Sequence, residues 1–456
     1  MKQVFAIVIA ASLLVTCGNT KEKKVVPFAK DEFKEWAQTP PMGWNSWDCY
    51  GPTVEEHEVK ANADYMAEHL KPYGWEYIVV DIRWFVENDK AGGYNQTDPR
   101  YVMDEYGRYL PALNRFPSAV ESRGFQPLAD YIHGKGLKFG IHIMRGVPKQ
   151  AVEKKLPIKG TPYTADQIYS TDLQCEWLRD NYTIIDKPGA QEYYNSLMEL
   201  YASWGVDFIK IDDLSRPYHK REIEMIRHAI DRCGRPIVLS VSPGETPVGE
   251  ALHVKNHVNM WRMVDDVWDT WGHLTHLMKI AENWYPHIAP TYPDCDMIPL
   301  GRISIRGERG KDRMTRLTKD EQYSLMTFFT IFRSPLMFGG DLPSNDEFTL
   351  SLLTNPEVLK MHRESAGVRQ LFQKDGKVAV TSRNAVTGER YLAVFNISDN
   401  PEPMEIQVNL QDVGINKPCM TTNLWTGETA DTSGGKFSAK LRPHACGLYI
   451  FKEINQ

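Results

Sequence analysis

Three apolar stretches of this chain end in carboxylates. They are Tyr77-Ile-Val-Val-Asp81, Val206-Asp-Phe-Ile-Lys-Ile-Asp212 followed by Asp213, and Met260-Trp-Arg-Met-Val-Asp265 followed by Asp266. A carboxylate at the end of a buried strand is costly unless it is paired or hydrogen-bonded. Three of them gathered in one place would make a polar pocket; the plainer reading is that each Asp caps the helix that follows. Paired carboxylates are the equipment for cleaving a glycosidic bond, one as nucleophile or base and one as acid. Lys210-Ile211-Asp212 suits the nucleophile. Residues 210 and 212 of a strand point to the same side, so the ammonium favours the ionised carboxylate. Trp261-Arg262 followed by Asp265-Asp266 suits the second part. The arginine can hold a sugar hydroxyl or a carboxylate, and one of the two aspartates is the proton donor. His142, near Arg145 at the end of another apolar run, either lines the same pocket or is a buried histidine with its hydrogen bonds satisfied.

Chemistry of this kind needs a scaffold that brings several strand ends together. Between residues 40 and 345, β runs at 42–47, 77–81, 137–143, 206–212, 236–242, 260–265 and 334–338 alternate with helical stretches. In the stretch 53–70, Val59, Ala63, Met66 and Leu70 fall at helical spacing, and 190–204 also reads as a helix. Continuous apolar strands separated by helices imply a parallel sheet. About eight such units fit a (β/α)8 TIM barrel, whose chemistry sits at the C-terminal ends of its strands. No Gly-rich phosphate loop follows the early strands, which argues against a nucleotide-binding sheet. After a helix at 356–364 the pattern changes to strands at 377–384, 391–397, 404–410, 419–424 and 445–452 joined by turns such as Asp375-Gly376 and Ser433-Gly434-Gly435. That is a C-terminal antiparallel β-sandwich domain. The predicted division is a signal peptide at 1–17, an N-terminal extension at 18–38, the catalytic barrel at 39–355 and the sandwich at 366–456.

The net charge is only −6 over 456 residues, so there is no basic field to recruit nucleic acid. Twelve Trp and 21 Tyr suit a carbohydrate binder, because aromatic faces stack on sugar C–H faces. Lys2 precedes an apolar run from Val4 to Val15, too short to span a membrane comfortably, which reads as the core of a signal peptide. Thr16-Cys17 and the Lys-rich stretch behind it are similar to a bacterial lipoprotein signal, with a lipid anchor at Cys17. The expected location is exported, periplasmic or membrane-anchored. The other cysteines, at 49, 175, 233, 295, 419 and 446, form no CxxC pair. With no ligand cluster visible at the strand ends, neither a metal nor a cofactor is expected.

Several motifs carry a family resemblance. Thr39-Pro-Pro-Met-Gly-Trp-Asn-Ser-Trp47, Tyr77-Ile-Val-Val-Asp-Ile-Arg-Trp84, Phe208-Ile-Lys-Ile-Asp212, Trp261-Arg262 with Asp266, and Arg333-Ser-Pro-Leu336 with Asp341-Leu342 occur in this order. The series resembles the α-galactosidases of glycoside hydrolase family twenty-seven over residues 39–345. The resemblance implies a retaining mechanism on an oligo- or polysaccharide, with Asp212 as nucleophile and Asp266 as acid/base. Asp265 is the competing acid; the family's spacing from the arginine favours Asp266. Trp44 is expected to form an apolar wall for the sugar, with a place in the core as the alternative. Asp294-Cys295-Asp296 also resembles a family motif and reads as structural or supporting.

Two departures bear on the sugar. The family pattern has two consecutive acidic residues after its second strand, which bind the hydroxyls at O4 and O6 of galactose; here they are Asp81-Ile82. A hydroxymethyl group pressed on Ile82 would leave its hydroxyl unpaired, at about 1–3 kcal/mol. β-L-Arabinopyranose has the ring stereochemistry of α-D-galactopyranose without that group. The chain resembles the β-L-arabinopyranosidase branch of the family, with α-galactosidase activity as the alternative. The second departure is Ser242, where the family carries an acidic residue, so the contact to the sugar's 2-hydroxyl is expected to be rebuilt.

Overall fold

Side-chain alternation along eight parallel strands builds the catalytic half of the molecule. The strands are β1 Met42–Asn45, β2 Tyr77–Val80, β3 Lys138–Met144, β4 Phe208–Asp212, β5 Val238–Val241, β6 Met260–Arg262, β7 Tyr292–Asp294 resuming as Met297–Ile298, and β8 Leu336–Phe338. They pair in sequence order, and β8 returns to β1 with Met337 opposite Gly43. The ring closes through β7, whose first segment pairs with β6 and whose second pairs with β8. The break lies at Cys295-Asp296, where Asp296 takes φ 83°. Asp tolerates this left-handed conformation better than most residues. The computed structural model describes residues 26–432 and 434–454. The predicted signal peptide at 1–17 and the anchor at Cys17 lie outside the described residues. No helix among the described residues is long and apolar enough to cross a membrane.

Tyr77, Val79, Phe208, Val238, Met260, Tyr292, Met297 and Met337 form one apolar cluster inside the barrel. The next inward position on the same strands is polar: Asp81 beyond Val79, Lys210 and Asp212 beyond Phe208, Arg262 beyond Met260. Period-two alternation thus stacks a polar layer on an apolar plug at the C-terminal mouth. Gly43 makes the β1–β2 approach possible, since a Cβ there would sit 2.5 Å from the Tyr77 carbonyl oxygen.

The C-terminal part is two antiparallel sheets. Its strands are β9 Ser365–Lys374, β10 Lys377–Asn384, β11 Arg390–Asn396, β12 Met404–Asn409, β13 Cys419–Asn423, β14 Thr429–Thr432, β15 Lys436–Leu441 and β16 Cys446–Glu453. The larger sheet has the order β9-β10-β11-β16-β13-β14, and β12 pairs with β15 across it. Leu392 and Val394 of β11 face the sandwich interior with Ile406, Val408 and Phe437. Tyr391, Ala393 and Phe395 of the same strand join the barrel-side core with Phe328 of the helix Lys319–Phe332. That helix starts with a reciprocal cap, Glu321 N donating to Thr318 Oγ1 and Thr318 N to Glu321 Oε2. All six described cysteines are free thiols.

Candidate active site

A cavity of about 390 Å³ opens at the C-terminal ends of the barrel strands. Asp81, Ile82, His142, Lys210, Asp212, Arg262 and Asp266 all line it, together with Asp265 and Asp296. Five strand ends therefore converge, as the carboxylate pattern requires.

On the β2–β4 side the groups form a fixed ion network. Asp81 is 1 % exposed, accepts from Asn45 Nδ2 (2.8 Å) and from the Ile82 amide (2.8 Å), and lies 3.6 Å from Lys210 Nζ. His142 Nδ1 stands 2.8 Å from Asp81 Oδ1, and its Nε2 is 3.7 Å from Asp212 Oδ2. Burial pushes the Asp81 carboxyl up, but the charges of His142 and Lys210 outweigh it and hold the group below the usual carboxylate range. Burial also works against the Lys210 ammonium, and Asp81 and Asp212 keep it charged. Lys210, placed beside Asp212 by its strand register, makes its ion pair with Asp81, two strands over across β3.

The β6–β7 side is arranged otherwise. Arg262 Nη2 holds Asp266 Oδ1 at 2.9 Å while Nη1 holds Asp296 Oδ1 at 2.6 Å. Asp296 Oδ2 also accepts from the Val267 amide (2.7 Å). Burial, opposed by Arg262 and reinforced by the Asp266 charge, pushes Asp296 up to about 7. One arginine serves two carboxylates, so the pair titrates as a unit that retains a proton near neutral pH. Asp265 sits at the rim, half-exposed, in a bidentate pair with Arg216 (2.8 and 2.9 Å). Asp213 turns away from the cavity onto Arg145 (2.8 Å).

Two sequence expectations are corrected. Trp44 does not wall the cavity. It is even-numbered on β1, pointing outward with Met42, and its Nε1 donates to the Gly340 carbonyl (2.8 Å). Trp47, three residues later and beyond the strand, faces the cavity with Tyr94, their rings 5.6 Å apart. Ser242 is fully buried and absent from the cavity wall; its hydroxyl donates to Asp212 Oδ1 (3.1 Å). It is an inward residue just past β5, too short to pass Asp212 and reach a sugar.

A family description, alpha galactosidase A, matches residues 148–364, and the alpha galactosidase C-terminal beta sandwich domain matches 375–451. The solved β-L-arabinopyranosidase of Geobacillus stearothermophilus, in complex with arabinose, is 49 % identical, with a TM-score of 0.91 over 94 % of this chain and 100 % of that one. This chain belongs to glycoside hydrolase family twenty-seven. The chain is a glycoside hydrolase of the α-galactosidase type, built as a (β/α)8 barrel with a C-terminal β-sandwich. Curated family members include α-galactosidases of Cyamopsis tetragonoloba, 26 % identical over 91 % of this chain and 86 % of that one, and of Cellvibrio japonicus, 26 % identical over 89 % and 90 %.

The sequence pattern passes over Asp48 and gives Asp296 only a structural or supporting part, yet both line the cavity. Asp48 follows Trp47 on the cavity wall; it is 3 % exposed and its Oδ2 has no hydrogen-bond partner. Burial first, then the Asp296 charge, pushes its carboxyl well above the usual carboxylate range. The only sequence signal for Asp48 was its place directly behind a motif tryptophan.

Proposed function

We propose that this family member is a β-L-arabinopyranosidase working by double displacement, with Asp212 as nucleophile and Asp266 as acid/base. The observation that carries the sugar assignment is Ile82. It is 1 % exposed, lines the cavity, and is backed by Met144, Cys175 and Leu178 in one apolar cluster. A hydroxymethyl group placed there finds no polar partner, whereas the pentopyranose has only C–H to offer. The 49 % identical arabinopyranosidase supports the same reading.

In the first step an Asp212 carboxylate oxygen bonds to the anomeric carbon as the glycosidic C–O bond breaks, and Asp266 gives its proton to the leaving oxygen. Ser242 engages Oδ1 and so aims Oδ2 at the sugar. In the second step Asp266 takes a proton from water, whose oxygen bonds to the anomeric carbon and frees Asp212. The proton delivered is the one that the Asp266–Asp296 pair retains, and once it has left both carboxylates share the Arg262 charge. Asp81, ionised and rigid, accepts a ring hydroxyl. Export with a lipid at Cys17 belongs to the same proposal and rests on residues 4–17.

The test compares kcat/KM for para-nitrophenyl β-L-arabinopyranoside and α-D-galactopyranoside. The arabinoside is expected to be preferred, and Ile82→Asp should move the ratio toward the galactoside by about 10-fold or more. A clear galactoside preference in the parent enzyme returns the assignment to α-galactosidase, the activity of the curated relatives.

A further inference from the structure

On the outside of the barrel, away from the cavity, three side chains meet between the helix Lys220–Arg232 and the short helix Ala251–Lys255. Glu224, His253 and His257 bring one ligand atom each within 4.8 Å of the others. His253 and His257 are four residues apart, on one face at the end of the second helix, with rings stacked at 4.1 Å between centroids. His253 Nε2 lies 3.4 Å from Glu224 Oε1, about the donor spacing of a tetrahedral zinc site. We propose that Glu224, His253 and His257 bind a single divalent cation of the zinc class.

The hydrogen bonds behind the two imidazoles point the same way. His257 Nδ1 is 2.7 Å from the His253 carbonyl oxygen. A carbonyl only accepts, so Nδ1 carries the proton and Nε2 of the neutral ring presents a lone pair. His253 Nδ1 is 2.7 Å from the Tyr218 hydroxyl. With its proton on Nδ1, that ring too presents a bare Nε2, an atom that is buried without a hydrogen-bond partner. The His253 side chain is 9 % exposed. Metal-bound histidines are oriented in this way, through the nitrogen that does not ligate. Glu224 Oε2 is taken by Arg221 (2.9 Å), which leaves Oε1 for the cation. Two imidazoles and one carboxylate suit zinc, nickel or cobalt; calcium and magnesium ask for an all-oxygen shell. The partly exposed Glu224 and His257 give an entry path, and water completes the shell. The bound ion would tie the helix after β4 to the segment after β5. It would thereby steady the loop holding Tyr218 and Arg216, and Arg216 pairs with Asp265 at the cavity rim.

The experiment uses the tag-free full chain, stripped with chelator. Titration with zinc should show one ion per chain beyond any cysteine-bound metal and raise Tm; magnesium should do neither. His257→Gln, a partly exposed site, should fold and lose that ion. Tyr218→Phe should keep it with about 10–100-fold weaker affinity. Cobalt loaded in place of zinc should give the visible absorption of a nitrogen–oxygen tetrahedral site, absent in His257→Gln. Zinc binding that is unchanged in both His257→Gln and Glu224→Gln, or no stoichiometric binding by the parent chain, overturns the proposal.

Discussion

Asp81 on one side of the barrel mouth and Asp296 on the other are both buried carboxylates at strand ends, yet their surroundings drive them opposite ways. Asp81 has an amide donor from Asn45, a backbone donor from Ile82, an imidazole at 2.8 Å and an ammonium at 3.6 Å, all close to it. Asp296 has one backbone donor and half of an arginine, shared with Asp266. Burial alone disfavours both anions; the number of donors decides. The β2–β4 arc is therefore built to stay charged and rigid, and the β6–β7 arc to hold a proton. A double displacement needs that division, because one carboxylate must attack while another gives and takes a proton.

The comparison can be broken at graded depth. Asp212→Ala removes the attacking group and should lower kcat by about 10⁴-fold or more, with azide restoring turnover. If azide does nothing, the nucleophile is on another strand. Asp81→Asn leaves Lys210 and His142 without their counter-charge and should cost about 3–5 kcal/mol in chemical denaturation. A loss below 1 kcal/mol would mean that the charged arc is not rigid. The Asp296 effect is on pH. Its pKa is raised by folding, from 3.8 to about 7, so the folded state binds the extra proton. Its contribution is complete below the unfolded value and is lost as pH rises toward 7. Asp296→Asn should flatten that decline in Tm between pH 4 and 7, and an unchanged slope would locate the proton elsewhere. Asp48→Asn should have the smallest effect, within about 1 kcal/mol of the parent, because burial already disfavours the Asp48 anion and an amide of the same size carries no charge to bury.

Much of this was legible because period-two alternation is local. Asp81, Lys210, Asp212 and Arg262 fall on the inward register of apolar strands, and that register can be counted along the chain. The same count shows why Trp44 had to point outward: it shares parity with Met42, not with Gly43. Strand β7 escaped because Pro293 and the aspartates on either side of Cys295 break its apolar pattern, and β9 and β14 because they are edge strands that alternate weakly; β15 alternates cleanly, with Phe437, Ala439 and Leu441 inward, and was within reach of the same count. The zinc-class cluster was invisible for another reason. Glu224 is 29 and 33 residues from the two histidines, and nothing in its own neighbourhood marks it out.

The sequence by itself determined the barrel, the polar layer at its mouth and the departure at Ile82, since each depends on residue type and parity along one strand. Only the tertiary structure decided which charges meet. It gave Lys210 to Asp81, set Ser242 behind Asp212, divided Arg262 between Asp266 and Asp296, and placed Asp265 on the rim. Coulomb energy and desolvation depend on distances across strands and on depth from water. Those distances are fixed when the ring of strands closes, at the two-residue break in β7.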